Sequence, residues 1–333
     1  MRRPHTIPFE SRWHLYFYWL SLYRQRETDV LKMTCEDFPT LCKEYEELRQ
    51  IEDVRTMRDA QVIGMTTTSA ARLRSSLQTL KSPIVIVEEA AEVLEAHIVT
   101  SVTKHCKHLI LIGDHKQLRP STANYNLEKQ YRLGISLFER MIINKLHCYT
   151  LNVQHRMRPE IACLIRPAIY DFLEDHPSVL QRPVITGIDN CLFFIDHDNL
   201  EEPYEGSSKI NLHEVRFLIY LARHLVLNGY NPENITILAA YLGQFFEFKN
   251  MIKAHFDLLE GVKIVVLDNY QGEESDIILL SLVRNNEDNK IGFLSIENRV
   301  CVALSRARNA MYIMGNMAQL SSENKVYITI FFL

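Results

Sequence analysis

Short apolar runs that end abruptly in polar loops recur along the chain from residue 61 onward, and stretches with helical spacing separate them. Apolar runs of about four to eight residues are typical of strands that are buried on both faces of a sheet. Their alternation with helices favours parallel pairing, so the sequence predicts an α/β fold with a parallel sheet. The clearest buried strands are Ile84–Val87 and Leu109–Ile112. The later strands are predicted at Leu192–Ile195, Ile235–Ala240, Val262–Leu267, Asp276–Val283 and Met311–Met314.

The first 60 residues differ from the rest because they are rich in charged and aromatic side chains at helical spacing. We predict a helical segment over residues 1–60, a first domain over 61–149 and a second domain over 150–320. Residues 175–208 contain several prolines and glycines and read as a loop-rich insertion in the second domain. Residues 321–333 form an atypical tail, whose apolar end at Val326–Leu333 fits a single strand or an artificial end.

The aromatic run from Trp13 to Leu22 is far shorter than the roughly 20 apolar residues that a membrane span needs. The run contains His14 and lacks the small-residue cleavage pattern of a signal peptide. We therefore expect a buried amphipathic helix here and no membrane span.

The charge balance and the cysteines limit the class of protein. Lys and Arg number 37 against 41 Asp and Glu, a formal charge of -4, so nucleic-acid binding would depend on a local groove rather than a global basic field. The seven cysteines include no CxxC pair and no zinc-finger spacing. We expect reduced, mostly buried thiols in an intracellular protein, either cytoplasmic or nuclear.

Two adjacent acids, Glu88 and Glu89, follow the predicted strand Ile84–Val87. Carboxylates at a buried strand end are costly unless a cation or a proton-transfer role compensates. One could hold Mg²⁺ while the other polarises a water molecule. The alternative is that the pair begins a helix, where the helix dipole favours acids.

The predicted strand Leu109–Ile112 ends in Gly113, Asp114 and, three residues later, Gln117. The glycine permits a tight turn, and a glutamine presented there could bond a terminal phosphate and an attacking water together. A plain turn between a strand and a helix is the alternative.

Arginines occur in two further patterns. Arg156 and Arg158 open a predicted helix, where the dipole disfavours cations and an anion would compensate; ordinary surface arginines are the alternative. Residues 300–308 read as a helix on which Arg306 and Arg308 face different directions, so that one could reach a phosphate while the other pairs locally.

A polar loop between two predicted strands carries Gln271, Gly272 and Glu273. These residue types could serve either a nucleotide or a strand of nucleic acid.

The order of the blocks is more specific than any one of them. VEEAA, GDHKQLRP, QHRMRPE, ILAAYLGQ, LDNYQGEESDIILLSLVR and RVCVALSRAR follow the motif order of the superfamily 1 helicases of the Up-frameshift type. This resemblance runs from about Gly64 to Asn316, three quarters of the chain. Within the group, the EEAA block is similar to that of the NFX-type zinc-finger-containing helicases, where most relatives have Asp-Glu.

The resemblance implies two RecA-like domains, the first incomplete in this chain, that use ATP and Mg²⁺ and bind single-stranded RNA, with DNA not excluded. The implied partners are RNA-silencing or RNA-surveillance proteins. By this resemblance, Glu88 is the acid that faces magnesium, Glu89 the acid that polarises water, and Gln117, in the block that also holds Gly113 and Asp114, the sensor of the γ-phosphate. Arg156 and Arg306 would contact the triphosphate. The resemblance also implies a link between nucleotide and RNA at Gln271, Gly272 and Glu273, and RNA phosphate contacts at Thr66, Thr67 and Thr68.

Two departures from the family pattern bear on activity. Glu88 is one methylene longer than the usual Asp, although magnesium geometry is strict. A P-loop has the pattern G-x-x-x-x-G-K-[ST], yet none of the eleven glycines precedes a lysine, and no zinc-finger cysteines follow the core. We therefore expect either a fragment of an ATP-dependent RNA helicase that begins after its P-loop or a non-catalytic RNA-binding pseudo-helicase or scaffold. The isolated chain should hydrolyse ATP near background.

Overall fold

A computed structural model describes residues 8–122, 125–253 and 256–323. The predicted terminal strand at Val326–Leu333 lies outside the described residues, as does the rest of the tail beyond residue 323. The chain divides into two units, the described residues of Met1–Val85 with Ala96–Ile110, and those of Ile86–Glu95 with Leu111–Leu333. The domain bounds expected from the sequence, with a border near residue 150, stay a prediction.

A single helix dominates the first unit. Helix α1, Phe9–Arg58, is 50 residues long and confirms the predicted helical N-terminus. Its aromatic run is exposed, with Trp13 at 53% and Trp19 at 61%, so the expectation of a buried helix was wrong. At 1.5 Å per residue this helix is about 75 Å long, more than the core of a small domain covers. Among the described residues of this helix, the buried hydrophobic side chain is Val54, near its end.

The remaining helices of the first part of the chain are short. They are α2 (Thr67–Arg72), α3 (Arg74–Leu80) and α4 (Glu95–Ser101). Helix α1 packs against α3.

Strands β1 (Ile84–Val87) and β2 (His108–Leu111) pair as a two-stranded sheet, as the sequence predicts. The prediction that they are buried was wrong, because Ile86 is 60% and Ile110 is 44% exposed. A parallel strand becomes buried only when both of its sheet faces are covered, and the exposed side chains show that these faces are not.

The second unit contains a fully parallel five-stranded sheet in the order β5-β11-β10-β8-β9. Its strands are β5 (Leu192–Asp196), β8 (Ile235–Ala239), β9 (Lys263–Val266), β10 (Ser275–Ser281) and β11 (Ala307–Gly315). Each of the five predicted later strands is confirmed, and with them the α/β class.

Both faces of this sheet are covered. Along β10, Ile278 and Leu280 point into one apolar core and Ile277 and Leu279 into another, and all four are fully buried. Burial on both sides explains why the strands appear in the sequence as continuous apolar runs rather than as alternating patterns.

Helices close the two cores. One core includes buried residues of α11 (Glu297–Leu304), and the other includes those of α8 (Leu212–Leu227) and α9 (Leu242–Ile252). The other helices of this unit are α5 (Tyr125–Tyr131), α6 (Leu137–Ile143), α7 (Pro159–Ala162), α10 (Phe256–Leu259) and α12 (Met317–Glu323). The short strands are β3 (Val153–Gln154), β4 (Glu174–Asp175), β6 (Glu202–Pro203) and β7 (Lys209–Ile210).

All seven cysteines are free thiols, but the expectation that most are buried was wrong. Only Cys301 is buried, whereas Cys35 and Cys148 are exposed. Across the described ranges, no helix is both long and apolar enough to cross a membrane.

Candidate functional site

The predicted site residues of the second unit lie on loops that meet at one edge of the large sheet. Glu89 and Gln117 come after strands β1 and β2, as expected for reactive groups in parallel sheets. Glu273 and Arg306, in contrast, lie just before β10 and β11, at the amino ends of these strands.

The acids after β1 form a tight turn. Glu89 adopts a left-handed backbone conformation with φ of 51°, and its carbonyl oxygen accepts a hydrogen bond from the Glu92 amide at 2.9 Å. No helix begins at this pair, because α4 starts only at Glu95. Both Glu88 and Glu89 are exposed, and Glu89 Oε2 accepts a hydrogen bond from Gln271 Nε2 at 3.0 Å.

Negative charge is concentrated beside this turn. Burial raises the pKa of Glu92, and the neighbouring carboxylates of Glu89 and Asp268 raise it further. A cation bound here would relieve that repulsion. The described residues contain no cluster of three or more His, Cys, Asp or Glu that could hold a metal ion without help. Magnesium is commonly held by one or two carboxylates together with substrate phosphates, so the acids present fit such a shared ion.

Gly113 permits the turn after β2 to pack against the acidic turn. A Cβ atom at this position would lie 2.9 Å from the amide nitrogen of Ala91. The next residue, Asp114, accepts hydrogen bonds from the Lys116 amide at 2.9 Å and from Gln117 Nε2 at 3.1 Å. These contacts orient the Gln117 amide so that its oxygen faces away from Asp114.

That oxygen contacts a buried arginine. Arg306 is 1% exposed, and its Nη2 donates to Gln117 Oε1 at 2.6 Å. Its other acceptors are also neutral: the carbonyl oxygens of Val302 and Glu273 and the hydroxyl of Ser305. Among the described residues, no carboxylate forms an ion pair with this guanidinium.

The electrostatic state of Arg306 reflects this isolation. Burial, followed by the positive charge of Arg156, lowers its pKa to about 10. A buried cation with only neutral partners is costly, so the position would gain from a bound anion.

Arg156 and Arg306 share Ser305 as a hydrogen-bond partner. Arg156 Nη1 donates to the carbonyl oxygen of Ser305 at 3.1 Å, while Arg306 donates to its hydroxyl. The partner of Arg156 is Glu274, whose Oε2 accepts from Arg156 Nε at 2.5 Å. Burial raises the pKa of Glu274, but the hydrogen bond and charge of Arg156, together with Arg308, prevail and lower it. Arg156 precedes the short helix α7 by three residues, and the Glu274 carboxylate supplies the anion that compensates its charge.

The predicted helix over residues 300–308 is shorter than expected. Helix α11 ends at Leu304, Ser305 and Arg306 form a turn, and Arg308 lies in strand β11. Arg308 pairs locally with Glu274 and Asp276, both at 3.5 Å. Pairing with the adjacent strand β10 explains why the chain leaves the helix here, since residues 307–314 hydrogen-bond to that strand.

The loop before β10 contains three of the predicted residues, Gln271, Gly272 and Glu273. Gln271 connects the turn after β1, which holds Glu89, with the turn after β2, which holds Gln117. Its Oε1 accepts a hydrogen bond from the Leu118 amide at 3.1 Å, and its Nε2 donates to Glu89. Gly272 has a positive φ of 76°. Glu273 pairs with Lys263, so it does not face Arg156.

The predicted RNA-contacting threonines belong to the first unit. Thr66 caps helix α2, since its side chain accepts a hydrogen bond from the Ser69 amide at 3.2 Å. Thr66 and Thr68 are exposed and Thr67 is partly buried. The structure gives Thr66 a local role in the helix cap.

Contacts within the second unit thus link Glu89, Gln117, Arg156 and Arg306. Gln117 bonds Arg306 directly, both arginines contact Ser305, and Glu89 bonds Gln271, which accepts from the amide of Leu118 next to Gln117. Their functional roles stay predictions. Sequence reasoning missed Glu274, although it lies next to Glu273 in the same loop, and it missed Tyr170 and Asn298. No motif in the neighbouring sequence singles out Tyr170. Asn298 Nδ2 donates to the carbonyl oxygens of His115 and Gln117.

Comparison with known proteins adds a family. Residues 133–318 match the AAA domain family, and residues 23–124 match a second family of the same description. The mouse NFX1-type zinc finger-containing protein 1 is 48% identical over 95% of this chain, which corresponds to 16% of that protein.

Two further relatives are more distant. The Schizosaccharomyces pombe helicase required for RNAi-mediated heterochromatin assembly 1 is 41% identical over 80% of this chain and 27% of its own length. A Drosophila melanogaster regulator of nonsense transcripts 1 homolog is 30% identical over 84% of this chain and 24% of its own length. The chain therefore spans about a sixth to a quarter of the length of these relatives.

Proposed function

Since the chain belongs to the AAA domain family and, as its sequence motifs indicate, to the superfamily 1 helicases of the Up-frameshift type, we propose that it supplies part of an ATP-dependent RNA helicase or translocase core. Its own contribution is the acid, glutamine and arginine groups that act on a nucleotide triphosphate.

The observation that carries this proposal is the state of Arg306. Its guanidinium is buried, its acceptors among the described residues are all neutral oxygens, and its pKa is lowered to about 10. A phosphate group would supply the missing negative charge and accept several N–H groups of a guanidinium together. Arg156 would add a second positive charge after exchanging its partner Glu274 for the phosphate.

The acids would act on the other side of the same ligand. Bound ATP with Mg²⁺ supplies the phosphoryl group to be transferred and the ion that neutralises its charge. Glu88 would hold the ion, and Glu89 would accept a hydrogen bond from the attacking water and orient it. Gln117 would bond the terminal phosphate with the amide that now contacts Arg306 and Asp114.

The nucleic-acid partner is proposed to be single-stranded RNA. Two of the relatives carry names that refer to RNAi and to nonsense transcripts, which supports RNA and partners in silencing or surveillance, in the cytoplasm or the nucleus. Thr66, Thr67 and Thr68 would contact RNA phosphates through hydroxyls and amides, without reading bases. Gln271, Gly272 and Glu273 would connect these contacts to the nucleotide.

A second candidate is a non-catalytic RNA-binding scaffold. It is favoured by one observation, that no glycine of the sequence precedes a lysine, so the chain contains no P-loop. On this candidate the arginines would still bind phosphate, but no hydrolysis would follow.

The test measures binding and hydrolysis by the same protein. Tripolyphosphate and ATP with Mg²⁺ are titrated into the 333-residue chain by calorimetry, and hydrolysis is followed by phosphate release. We expect both anions to bind, Arg306→Ala to weaken binding strongly, and hydrolysis to stay near background. Binding that is unchanged by Arg306→Ala would contradict the proposed site.

Matched RNA and DNA single strands, titrated at one stated salt concentration, test the partner. Tighter binding of RNA supports the proposal, whereas equal or tighter binding of DNA contradicts it. Strong ATP turnover by this chain, abolished by Arg156→Ala, would rule out the scaffold candidate.

A further inference from the structure

Tyr170 connects two parts of the candidate site that are distant in sequence. Its hydroxyl lies 2.5 Å from Asp114 Oδ2, in the loop after β2. The same hydroxyl lies 3.2 Å from Sγ of Cys301, a fully buried residue of helix α11. Tyr170 therefore contacts both the segment that holds Gln117 and the helix that leads to Arg306.

The direction of these hydrogen bonds follows from chemistry. A carboxylate can only accept, so Tyr170 donates its single hydroxyl hydrogen to Asp114. The remaining contact must then run from the thiol of Cys301 to the tyrosine oxygen. Burial raises the pKa of Tyr170, and burial raises the pKa of Cys301 to about 11, so both groups keep their protons at neutral pH.

Asp114 is linked to Arg306 through the side chain of Gln117. One amide group separates them, because Gln117 Nε2 donates to Asp114 Oδ2 at 3.1 Å and Gln117 Oε1 accepts from Arg306 Nη2 at 2.6 Å. A direct pair between the two charges would satisfy both and would occupy the guanidinium. Asp114 instead faces the tyrosine hydroxyl and the Gln117 amide, which share its Oδ2 oxygen.

We propose that Tyr170 is a positioning residue, whose hydroxyl holds the Asp114 carboxylate away from Arg306 and thereby keeps that arginine available to a phosphate group. This inference rests on the proposed function of Arg306 as a phosphate ligand. It assigns Tyr170 a role through Asp114, with no contact to the phosphate itself.

The test compares two tyrosine-to-phenylalanine variants of the 333-residue chain in tripolyphosphate titration by calorimetry. Tyr170→Phe should bind at least about tenfold more weakly, the effect of a lost hydrogen bond to a charged group. Tyr312→Phe is the matched control, because its buried hydroxyl donates to the carbonyl oxygen of Asn190 at 2.9 Å, and it should bind like the wild type.

Rescue separates positioning from structural damage. In the double variant Tyr170→Phe/Asp114→Asn the competing charge is gone, so tripolyphosphate affinity should recover to within about threefold of the wild type. Failure to recover would overturn the proposal, as would wild-type affinity in Tyr170→Phe alone. If Tyr170→Phe does not fold, Asp114→Asn alone tests the same competition. It should bind tripolyphosphate at least as tightly as the wild type, and weaker binding in that variant would overturn the proposal.

The proposed function can fail separately. If Arg306→Ala binds tripolyphosphate as the wild type does, the phosphate role of Arg306 is wrong. The inference is then judged without ligand, from the NMR signal of the Arg306 Nε–H group. A shift of that signal in Tyr170→Phe but not in Tyr312→Phe supports positioning, and no shift refutes it.

Discussion

Replacing Arg306 by methionine removes the charge from a buried position while keeping much of the side-chain volume. In the folded protein the pKa of Arg306 falls from the usual arginine range to about 10, which corresponds to about 3 kcal/mol of cost for the charged form. Because the folded pKa is the lower one, this cost is present at all pH values below about 10 and disappears as the pH rises above 10 toward the usual arginine pKa.

The opposing effect is the loss of four hydrogen bonds to neutral oxygens, each worth about 1 kcal/mol. The two effects nearly cancel, so Arg306→Met should unfold in urea within about 2 kcal/mol of the wild type. Adding tripolyphosphate at about 100 times its dissociation constant should stabilise the wild type by about 2.7 kcal/mol and should leave Arg306→Met unchanged.

Arg284→Met is the control, because Arg284 pairs with the buried carboxylate of Glu201 at 2.8 Å. Breaking this pair leaves Glu201 with Lys209 at 3.7 Å and with two nitrogen donors, of Asn285 and Asn286, so it should cost about 3 kcal/mol, the low end for a broken buried pair, with the tripolyphosphate response retained. The reasoning is refuted if Arg306→Met loses as much stability as Arg284→Met, or if it keeps the response to tripolyphosphate.

Three further changes test individual contacts. Glu274→Gln should flatten the stability profile at acid pH: the pKa of Glu274 is lowered from 4.5, so its carboxylate stabilises the fold above about pH 4.5 and loses that effect as the pH falls. If the free energy of unfolding in urea changes with pH in the same way for the variant and the wild type, this expectation is contradicted. Gly113→Ala should lower the unfolding free energy by about 1–3 kcal/mol, since the added Cβ lies 2.9 Å from the Ala91 amide nitrogen, and an unchanged denaturation midpoint would show that the turn can relax. Glu214→Ala leaves the Val283 amide and the other buried donors to Glu214 without an acceptor. It should lower the free energy of unfolding in urea by about 3–5 kcal/mol. A loss below about 1 kcal/mol would be inconsistent with the complete burial of Glu214.

The strands were predictable because burial on both faces of a sheet leaves a local trace. Residues of β10 such as Ile277 and Ile278 point into different cores, so the run is apolar throughout. The same apolar pattern led to a wrong prediction of burial for Ile86 in β1, which is 60% exposed. An apolar composition indicates that a strand is suited to burial, whereas its exposure depends on whether other elements cover the two faces of its sheet.

The partners of the charged residues were less predictable. Glu273 and Glu274 are adjacent, yet one pairs with Lys263 and the other with Arg156. Successive residues that enter a strand point to opposite sides, so a shift of one residue changes the partner entirely. Tyr170 left no trace because its contact with Asp114 joins residues 56 positions apart.

The distribution of carboxylates ranks the arginines as phosphate ligands. Arg156, Arg299 and Arg308 each already have an acidic partner, and a phosphate that binds one of them must displace a carboxylate. Arg306 has no such partner among the described residues, so binding there requires no exchange of ion pairs. A phosphate should therefore engage Arg306 first and recruit Arg156 from Glu274 afterwards. On this argument Arg306→Ala weakens tripolyphosphate binding strongly, while Arg156→Ala weakens it less. The reverse order of effects in calorimetry would show that exchange at Glu274 comes first.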